Sequence, residues 1–189
     1  MAIENNRTTK RISVFGGSSP QPGESAYLQA QELGVLIGRA GFIVLTGGYS
    51  GTMEAVSRGA AEAGGHVIGV TCELIEAYRP IPPNPWVLEE LRCATLRQRM
   101  FNIIDNCDLA IALPGGIGTL AEISAMWGSM QTGEIPARPL ILVGGGWERI
   151  ITYFFEHHSD YVKPAHRELL SFAADVQTAF RLAESYLLS

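Results

Sequence analysis

The segment with the clearest chemical potential is a glycine-rich run that ends on an acid, Pro114-Gly-Gly-Ile-Gly-Thr-Leu-Ala-Glu122. Glycines let the backbone approach a ligand closely, and a helix beginning near Thr119 directs free N–H groups and the positive end of its dipole into the same space. This geometry suits a phosphate group, so we predict phosphate contacts from Gly115, Gly116, Gly118 and Thr119. An ordinary tight turn between strand and helix is the alternative. No lysine lies in any glycine loop, which argues against a nucleoside triphosphatase.

Glu122 has two interpretations. In the first, Thr119 and Glu122 form a capping box, in which each side chain accepts a hydrogen bond from the other's backbone. In the second, the carboxylate faces a ligand at the glycine loop and takes part in chemistry. Local sequence favours the structural role.

Two further glycine loops share this design. One is Gly47-Gly-Tyr-Ser-Gly-Thr-Met-Glu54, and the other is Gly16-Gly-Ser-Ser19, which offers hydroxyls to a phosphate or a ribose. Three such loops at adjacent strand ends would form a single polar cradle. The residues that we predict to contribute are Gly17 and Ser18 in the first loop and Gly47, Gly48, Gly51, Thr52 and Glu54 in the second.

Short apolar runs bounded by glycine or other breakers position these loops, and such runs are typical of strands buried on both faces. The predicted strands are residues 12–15, 42–45, 67–70, 109–113 and 140–143, with 169–172 as a sixth. Helix-length segments alternate with them, namely residues 24–39, 52–63, 88–106, 119–131, 147–157 and a last helix from an Asp175 N-cap to Leu188. The alternation predicts an α/β fold with a mostly parallel sheet and helices on both faces.

The 189 residues suit one domain, which we place at residues 11–189 behind a flexible N-terminal tail at residues 1–10. Ligands in such sheets bind at the carboxyl ends of the strands, where the glycine loops lie. The proline-rich stretch at residues 80–85 is interpreted as one surface loop or interface segment.

Composition excludes several classes of protein. A net charge of −5 gives no electrostatic footprint for nucleic acid. Three cysteines without a C-x-x-C pair argue against a disulfide framework or a zinc site, and no apolar stretch is long enough for a membrane span. We therefore expect a cytoplasmic protein with no metal and no cofactor. His157, His158 and His166 invite a metal interpretation, but no acid or cysteine accompanies them at helical spacing, and exposed surface histidines are favoured.

The run from Pro114 to Glu122 resembles the P-G-G-x-G-T-x-x-E signature of the LOG (Lonely Guy) family of cytokinin riboside 5′-monophosphate phosphoribohydrolases. The first and second glycine loops are similar to those of the family as well, so the resemblance covers nearly the whole chain. It implies a Rossmann-like fold and a homodimer with active sites near the subunit interface. It also implies hydrolysis of the N-glycosidic bond of a nucleoside 5′-monophosphate, which releases the base and ribose 5-phosphate.

By this resemblance Arg99 and Glu122 are the catalytic residues. A carboxylate can stabilise the positive charge that develops on the ribose or activate water. Arg99 can hold that carboxylate ionised and oriented, or it can contact the substrate phosphate. One departure concerns Met100, because most family members have a lysine there. Leu74 to Trp86 also lacks a close counterpart in the cytokinin-activating members.

Of three alternatives to hydrolysis, the lysine count disfavours one and two stay open. Members of the family were formerly labelled lysine decarboxylases, but the only lysines here, Lys10 and Lys163, lie away from every glycine loop, so a pyridoxal-phosphate mechanism is disfavoured. A non-catalytic carrier of a nucleotide or of the molybdenum cofactor is the main alternative, and a nucleotide sensor is the other.

Overall fold

The computed structural model describes residues 9–188 and contains seven strands and eight helices within that range. The strands are β1 (Arg11–Phe15), β2 (Ile43–Thr46), β3 (Val67–Cys72), β4 (Glu89–Cys93), β5 (Leu109–Ala112), β6 (Leu140–Val143) and β7 (Leu170–Ala173). The helices are α1 (Ser25–Arg39), α2 (Thr52–Glu62), α3 (Glu73–Tyr78), α4 (Leu96–Asp105), α5 (Ile117–Thr132), α6 (Gly145–His157), α7 (Pro164–Arg167) and α8 (Val176–Leu187).

All seven strands belong to one sheet in the order β4-β3-β2-β1-β5-β6-β7, and every neighbouring pair is parallel. The chain builds outward from β1 in one direction as far as β4, and then returns to the other side of β1 to form β5, β6 and β7. The topological switch point therefore lies between β1 and β5. In open parallel sheets, the crevice at such a point is where ligands bind.

Successive residues of the central strands point into two separate cores, because side chains alternate across a strand. In β5, Leu109 and Ile111 join the core beneath α1, α2 and α8, whereas Ala110 and Ala112 join the core beneath α4, α5 and α6. The sheet is thus covered by helices on both faces, and the predicted α/β, Rossmann-like fold is confirmed.

Most predicted elements are confirmed to within two or three residues, including the Asp175 N-cap, whose side chain accepts a hydrogen bond from the Thr178 N–H at 2.7 Å. The single helix predicted over residues 88–106 is wrong. Its first part is the edge strand β4, and α4 begins only after Thr95, which forms a capping box with Gln98. The short helices α3 and α7 were not predicted, and α6 begins two residues earlier than predicted, with Gly144 at φ 91° as its N-cap.

The tail boundary and the single domain stay predictions. Residues 1–8 of the predicted tail lie outside the described residues, whereas the carbonyl of Lys10 accepts a hydrogen bond from the Ile43 N–H at 2.9 Å. Within residues 9–188, no helix is long and apolar enough to cross a membrane.

Close packing of α1 on α2 depends on glycines at the contact. A Cβ added at Gly59 would collide with the carbonyl oxygen of Gln31, and one added at Gly34 would collide with the carbonyl oxygen of Val56. Backbone atoms cannot yield as a flexible side chain can. Because α2 begins at the second glycine loop, this contact also fixes one wall of the polar cradle.

We expect Gly59→Ala to destabilise the protein by about 1–3 kcal/mol, since overpacking forces the two helices apart. Gly128→Ala is the matched control, because this exposed α5 glycine has open space at its Cβ position and alanine favours the helix by roughly 0.5–1 kcal/mol. Urea unfolding midpoints measure both changes. Equal effects of the two substitutions would contradict the packing argument.

Candidate functional site

A cavity of about 520 Å³ opens where β1, β2 and β5 end, at the switch point of the sheet. Its walls come from the first glycine loop, the start of α5, the second glycine loop, α3 with the residues that follow it, and α4. Its volume falls within the range of small-molecule sites in proteins. The predicted convergence of the three glycine loops at adjacent strands is confirmed by the sheet order.

Backbone hydrogen bonds hold the three loops together. The Thr52 N–H and hydroxyl both donate to the carbonyl oxygen of Gly17, at 2.9 and 2.8 Å, and the Gly17 N–H donates to the carbonyl oxygen of Pro114 at 3.2 Å. Gly51 adopts φ 75°, and a Cβ there would lie 2.6 Å from the Gly17 oxygen. Close approach of loop to loop thus accounts for the glycine at position 51.

Arg99 extends from the first turn of α4 under the cavity. Its Nε donates to the carbonyl oxygen of Val70 at 2.8 Å, and its Nη2 donates to the carbonyl oxygen of Gly47 at 3.0 Å. The guanidinium also lies 5.7 Å from the centre of the Tyr49 ring, within cation–π range. Main-chain acceptors on β3 and the second loop therefore fix the position of this cation.

Glu122, in the second turn of α5, faces Arg99 across the cavity floor, with Oε1 4.0 Å from Nη1. Its side chain is only 15 % exposed. Burial raises the pKa of the Glu122 carboxyl to about 7, and the positive charge of Arg99 offsets part of that rise. The carboxyl can therefore exchange a proton near neutral pH, which is the property required of a general acid or base.

The predicted capping box between Thr119 and Glu122 is wrong. Helix α5 begins at Ile117 with Gly116 as its N-cap, and no side chain caps it. The first intrahelical bond runs from the Leu120 N–H to the Gly116 carbonyl oxygen, so the N–H groups of residues 117–119 precede the hydrogen-bond ladder and remain open to an anion. Because the helix starts two residues earlier than predicted, Glu122 lies beyond capping reach.

Seven of the predicted site residues line the cavity: Gly17, Ser18, Arg99, Gly116, Gly118, Thr119 and Glu122. Six do not: Gly47, Gly48, Gly51, Thr52, Glu54 and Gly115. Several of these six support the loops, as Gly48 does by accepting hydrogen bonds from Asn84, while Glu54 faces α1 and accepts a hydrogen bond from the Tyr27 hydroxyl at 3.2 Å. The roles of all thirteen stay predictions.

One wall of the cavity was missed by sequence reasoning. It is mostly apolar and consists of Leu74, Ile75, Tyr78, Ile81 and Leu96. Tyr78 is 92 % exposed and Leu74 is 54 % exposed, which is unusual for side chains of this size. The absence of a family counterpart for residues 74–86 was the one available signal.

Other singled-out residues lie away from the cavity. Met100 packs against the core beneath α4, α5 and α6 and is not among the residues that line the cavity. Lys10 and Lys163 do not line the cavity. His157 and His158 are exposed, His166 is half-buried, and in the described part of the chain no group of three or more His, Cys, Asp or Glu residues could hold a metal ion.

Comparison with known sequences finds one family and several relatives. The profile of the SLOG cluster4 family matches residues 9–135. A cytokinin riboside 5′-monophosphate phosphoribohydrolase of Arabidopsis thaliana is 30 % identical over 181 residues, which cover 94 % of this chain and 78 % of that protein.

Comparison with solved structures finds molybdenum cofactor proteins. The carrier protein of Chlamydomonas reinhardtii has a TM-score of 0.70 at 25 % identity, with 96 % of this chain and 99 % of that chain covered. The molybdenum cofactor binding protein of Rippkaea orientalis has a TM-score of 0.74 at 22 % identity, covering 96 % and 98 %, and this second likeness concerns the fold alone.

The raised pKa of Glu122 predicts a pH-dependent cost in stability. The carboxyl is protonated in both folded and unfolded states below about pH 4.5, and above about pH 7 the folded state holds a charge that burial disfavours. The wild-type protein therefore loses stability relative to Glu122→Gln as pH rises from about 4.5 to 7, by about 1–3 kcal/mol.

Urea unfolding at pH 5 and pH 8 tests this expectation. Glu122→Gln should gain more over the wild type at pH 8 than at pH 5. Glu156→Gln, an exposed residue of α6, is the control and should follow the wild type at both values. A Glu122→Gln advantage that does not change with pH would overturn the assignment of a raised pKa.

Proposed function

The chain belongs to the SLOG cluster4 family and is a relative of the LOG phosphoribohydrolases, and on that premise we propose that it is a nucleoside 5′-monophosphate phosphoribohydrolase. The observation that carries the proposal is the largely buried Arg99–Glu122 pair, which lines the same cavity as the open N-terminus of α5. A phosphate site and a titratable carboxyl thus share one cavity. That combination suits cleavage of a phosphorylated riboside.

In the proposed reaction, the N–H groups at the start of α5 bind the 5′-phosphate, helped by the hydroxyls of the first glycine loop. The ribose then lies between the phosphate site and Glu122. Breaking the N-glycosidic bond leaves its electron pair on the base and builds positive charge on the ribose ring. Ionised Glu122 stabilises that charge, and Arg99 supports the ionised form.

Water completes the reaction. Its oxygen adds to C1′ of the ribose, and its two protons are shared between the new hydroxyl and the departing base. The carboxylate of Glu122 can accept a proton from this water and pass it on, because its pKa lies close to neutral pH. The products are free base and ribose 5-phosphate, and no metal or cofactor is required by this scheme.

The apolar wall supports a purine as the base. Tyr78 offers an exposed aromatic ring, and Leu74 and Leu96 are each 54 % exposed beside it. Planar bases stack on such side chains with little regard to their polar edges. AMP and its N6-substituted relatives, including the cytokinin monophosphates, are therefore our candidate substrates.

We place the protein in the cytoplasm as a homodimer, without nucleic acid or membrane as partner. The homodimer with active sites near the subunit interface follows from the family resemblance. The exposed apolar side chains of α6, among them Ile150 at 54 % and Tyr153 at 63 %, support a surface that is covered in solution. The net charge of −5 supports the absence of nucleic acid.

A carrier of the molybdenum cofactor is the second candidate. The likeness to the Chlamydomonas reinhardtii carrier protein over nearly the full length of both chains favours it. A carrier would use the same glycine loops to bind a phosphorylated ligand but would leave every covalent bond of that ligand intact.

Incubation of the purified protein with AMP and with isopentenyladenosine monophosphate should release free base, detected by liquid chromatography. Glu122→Gln should lower the rate by about 10²–10³-fold, because the variant cannot become negative as the ribose charge develops. Glu156→Gln should keep the wild-type rate. No base from a panel of nucleoside monophosphates, together with tight binding of an intact ligand, would establish the carrier instead.

The rate should also depend on pH through Glu122. We expect kcat/KM to rise as pH passes through about 7, where the carboxyl ionises. In Arg99→Met this rise should move to higher pH, because the charge that lowers the pKa of Glu122 is gone. Arg99→Lys should lie nearer the wild type.

Initial rates measured from pH 5 to 9 with one substrate test this expectation, since titration of the substrate phosphate is then common to all three proteins. An identical profile in the wild type and in Arg99→Met would contradict the electrostatic role of Arg99.

A further inference from the structure

Two arginines line the cavity, and they are the only cations among its described lining residues, but their surroundings differ. Arg99 is committed to the protein through the carbonyl oxygens of Val70 and Gly47, and its remaining nitrogen faces Glu122. A guanidinium held in this way has little capacity left for a ligand. The substrate phosphate needs another source of full positive charge.

Arg79 has that capacity. It is exposed at the C-terminal end of α3, and its Nη2 donates to the hydroxyl of Ser50 at 3.2 Å. Within residues 9–188 its guanidinium forms no ion pair with a carboxylate. The hydroxyl of Ser50 is neutral, so within residues 9–188 the charge of Arg79 has no carboxylate partner.

The backbone segment that carries Arg79 is held by hydrogen bonds on both sides of this residue. Before it, Glu76 of α3 accepts hydrogen bonds from the Tyr49 hydroxyl at 3.2 Å and from Arg92 of β4 at 2.6 Å. After it, the side-chain amide of Asn84 donates to the carbonyl oxygens of Gly48 and Tyr49, both at 3.0 Å. The segment that carries Arg79 is therefore attached to the second glycine loop at two points.

Hydrogen bonds also connect Arg79, through Ser50, to the first glycine loop. The Ser50 hydroxyl that accepts from Arg79 donates in turn to the carbonyl oxygen of Ser18 at 3.4 Å. Ser18 follows Gly17, whose N–H is bonded to Pro114 at the base of the loop that leads into α5. Arg79 and residues 116–119 at the open N-terminus of α5 line the same cavity.

We infer that Arg79 binds the 5′-phosphate of the substrate and is a specificity-determining residue for phosphorylated over unphosphorylated ribosides. This inference rests on the proposed function for its ligand but not on turnover. A phosphate monoester carries about two negative charges near neutral pH, whereas a helix N-terminus supplies only about half a positive charge. A guanidinium supplies a full charge and paired donors that match phosphate oxygens.

Binding is measured in a Glu122→Gln background, so that the ligand stays intact. NMR-detected titrations with AMP and with adenosine give dissociation constants into the millimolar range. Adding Arg79→Gln should weaken AMP binding at least tenfold and change adenosine binding less than twofold. Arg181→Gln, which removes an exposed arginine of α8, is the matched control and should change neither. Urea midpoints of all variants verify that the fold is kept.

Three results would overturn the inference: AMP binding that is unaffected by Arg79→Gln, equal weakening of AMP and adenosine, or no binding of AMP at all. Equal weakening would mean that Arg79 stabilises the second glycine loop through Ser50 and does not bind the phosphate. Failure of the proposed function looks different. In that case the protein with Glu122 intact releases no base, while AMP still binds and still depends on Arg79.

Discussion

The largely buried pair of Arg99 and Glu122 is the constraint around which the cavity is built. Holding a charge away from water costs free energy unless hydrogen bonds satisfy the charged group. Arg99 donates such bonds to the carbonyl oxygens of Val70 in β3 and Gly47 in the second glycine loop. The requirement extends to the sequence of the second loop. A Cβ at Gly47 would collide with the Arg99 guanidinium, so the glycine at this position leaves room for the arginine.

Sequence patterns gave correct positions for the central elements because those strands are buried on both faces, which forces continuous apolar runs. The edge strand β4 was not predicted as a strand because it lacks a continuous apolar run. It pairs with β3 alone and is mostly exposed, so its residues Glu89–Cys93 are largely polar. Leu96 and Met100, four residues apart, do match a helical spacing, and the predicted helix extended that segment too far toward its N-terminus. Only the Thr95 capping box, a local signal that the sequence does contain, separates the strand from α4.

The site was predictable where chemistry is local and unpredictable where it depends on distant contacts. Glycine loops at strand ends predict an anion site from a stretch of only a few residues. The apolar wall depends instead on α3, six residues long, which is anchored by Glu76 to Tyr49 and Arg92. Its partners lie 27 and 16 residues away in sequence, and no short pattern reports such a contact.

The state of Glu122 helps to distinguish hydrolysis from transport of an intact ligand. A carboxyl whose pKa burial raises to about 7 lowers the stability of the folded protein at neutral pH, and once ionised it repels a bound phosphate. A carrier has no chemical step that uses this group, and a neutral amide of similar size would avoid both costs. A glycosidase gains a negative charge that is most favourable when the ribose becomes positive. The stability that the fold gives up at Glu122 therefore favours catalysis, with Arg79 left to offset the repulsion between carboxylate and phosphate.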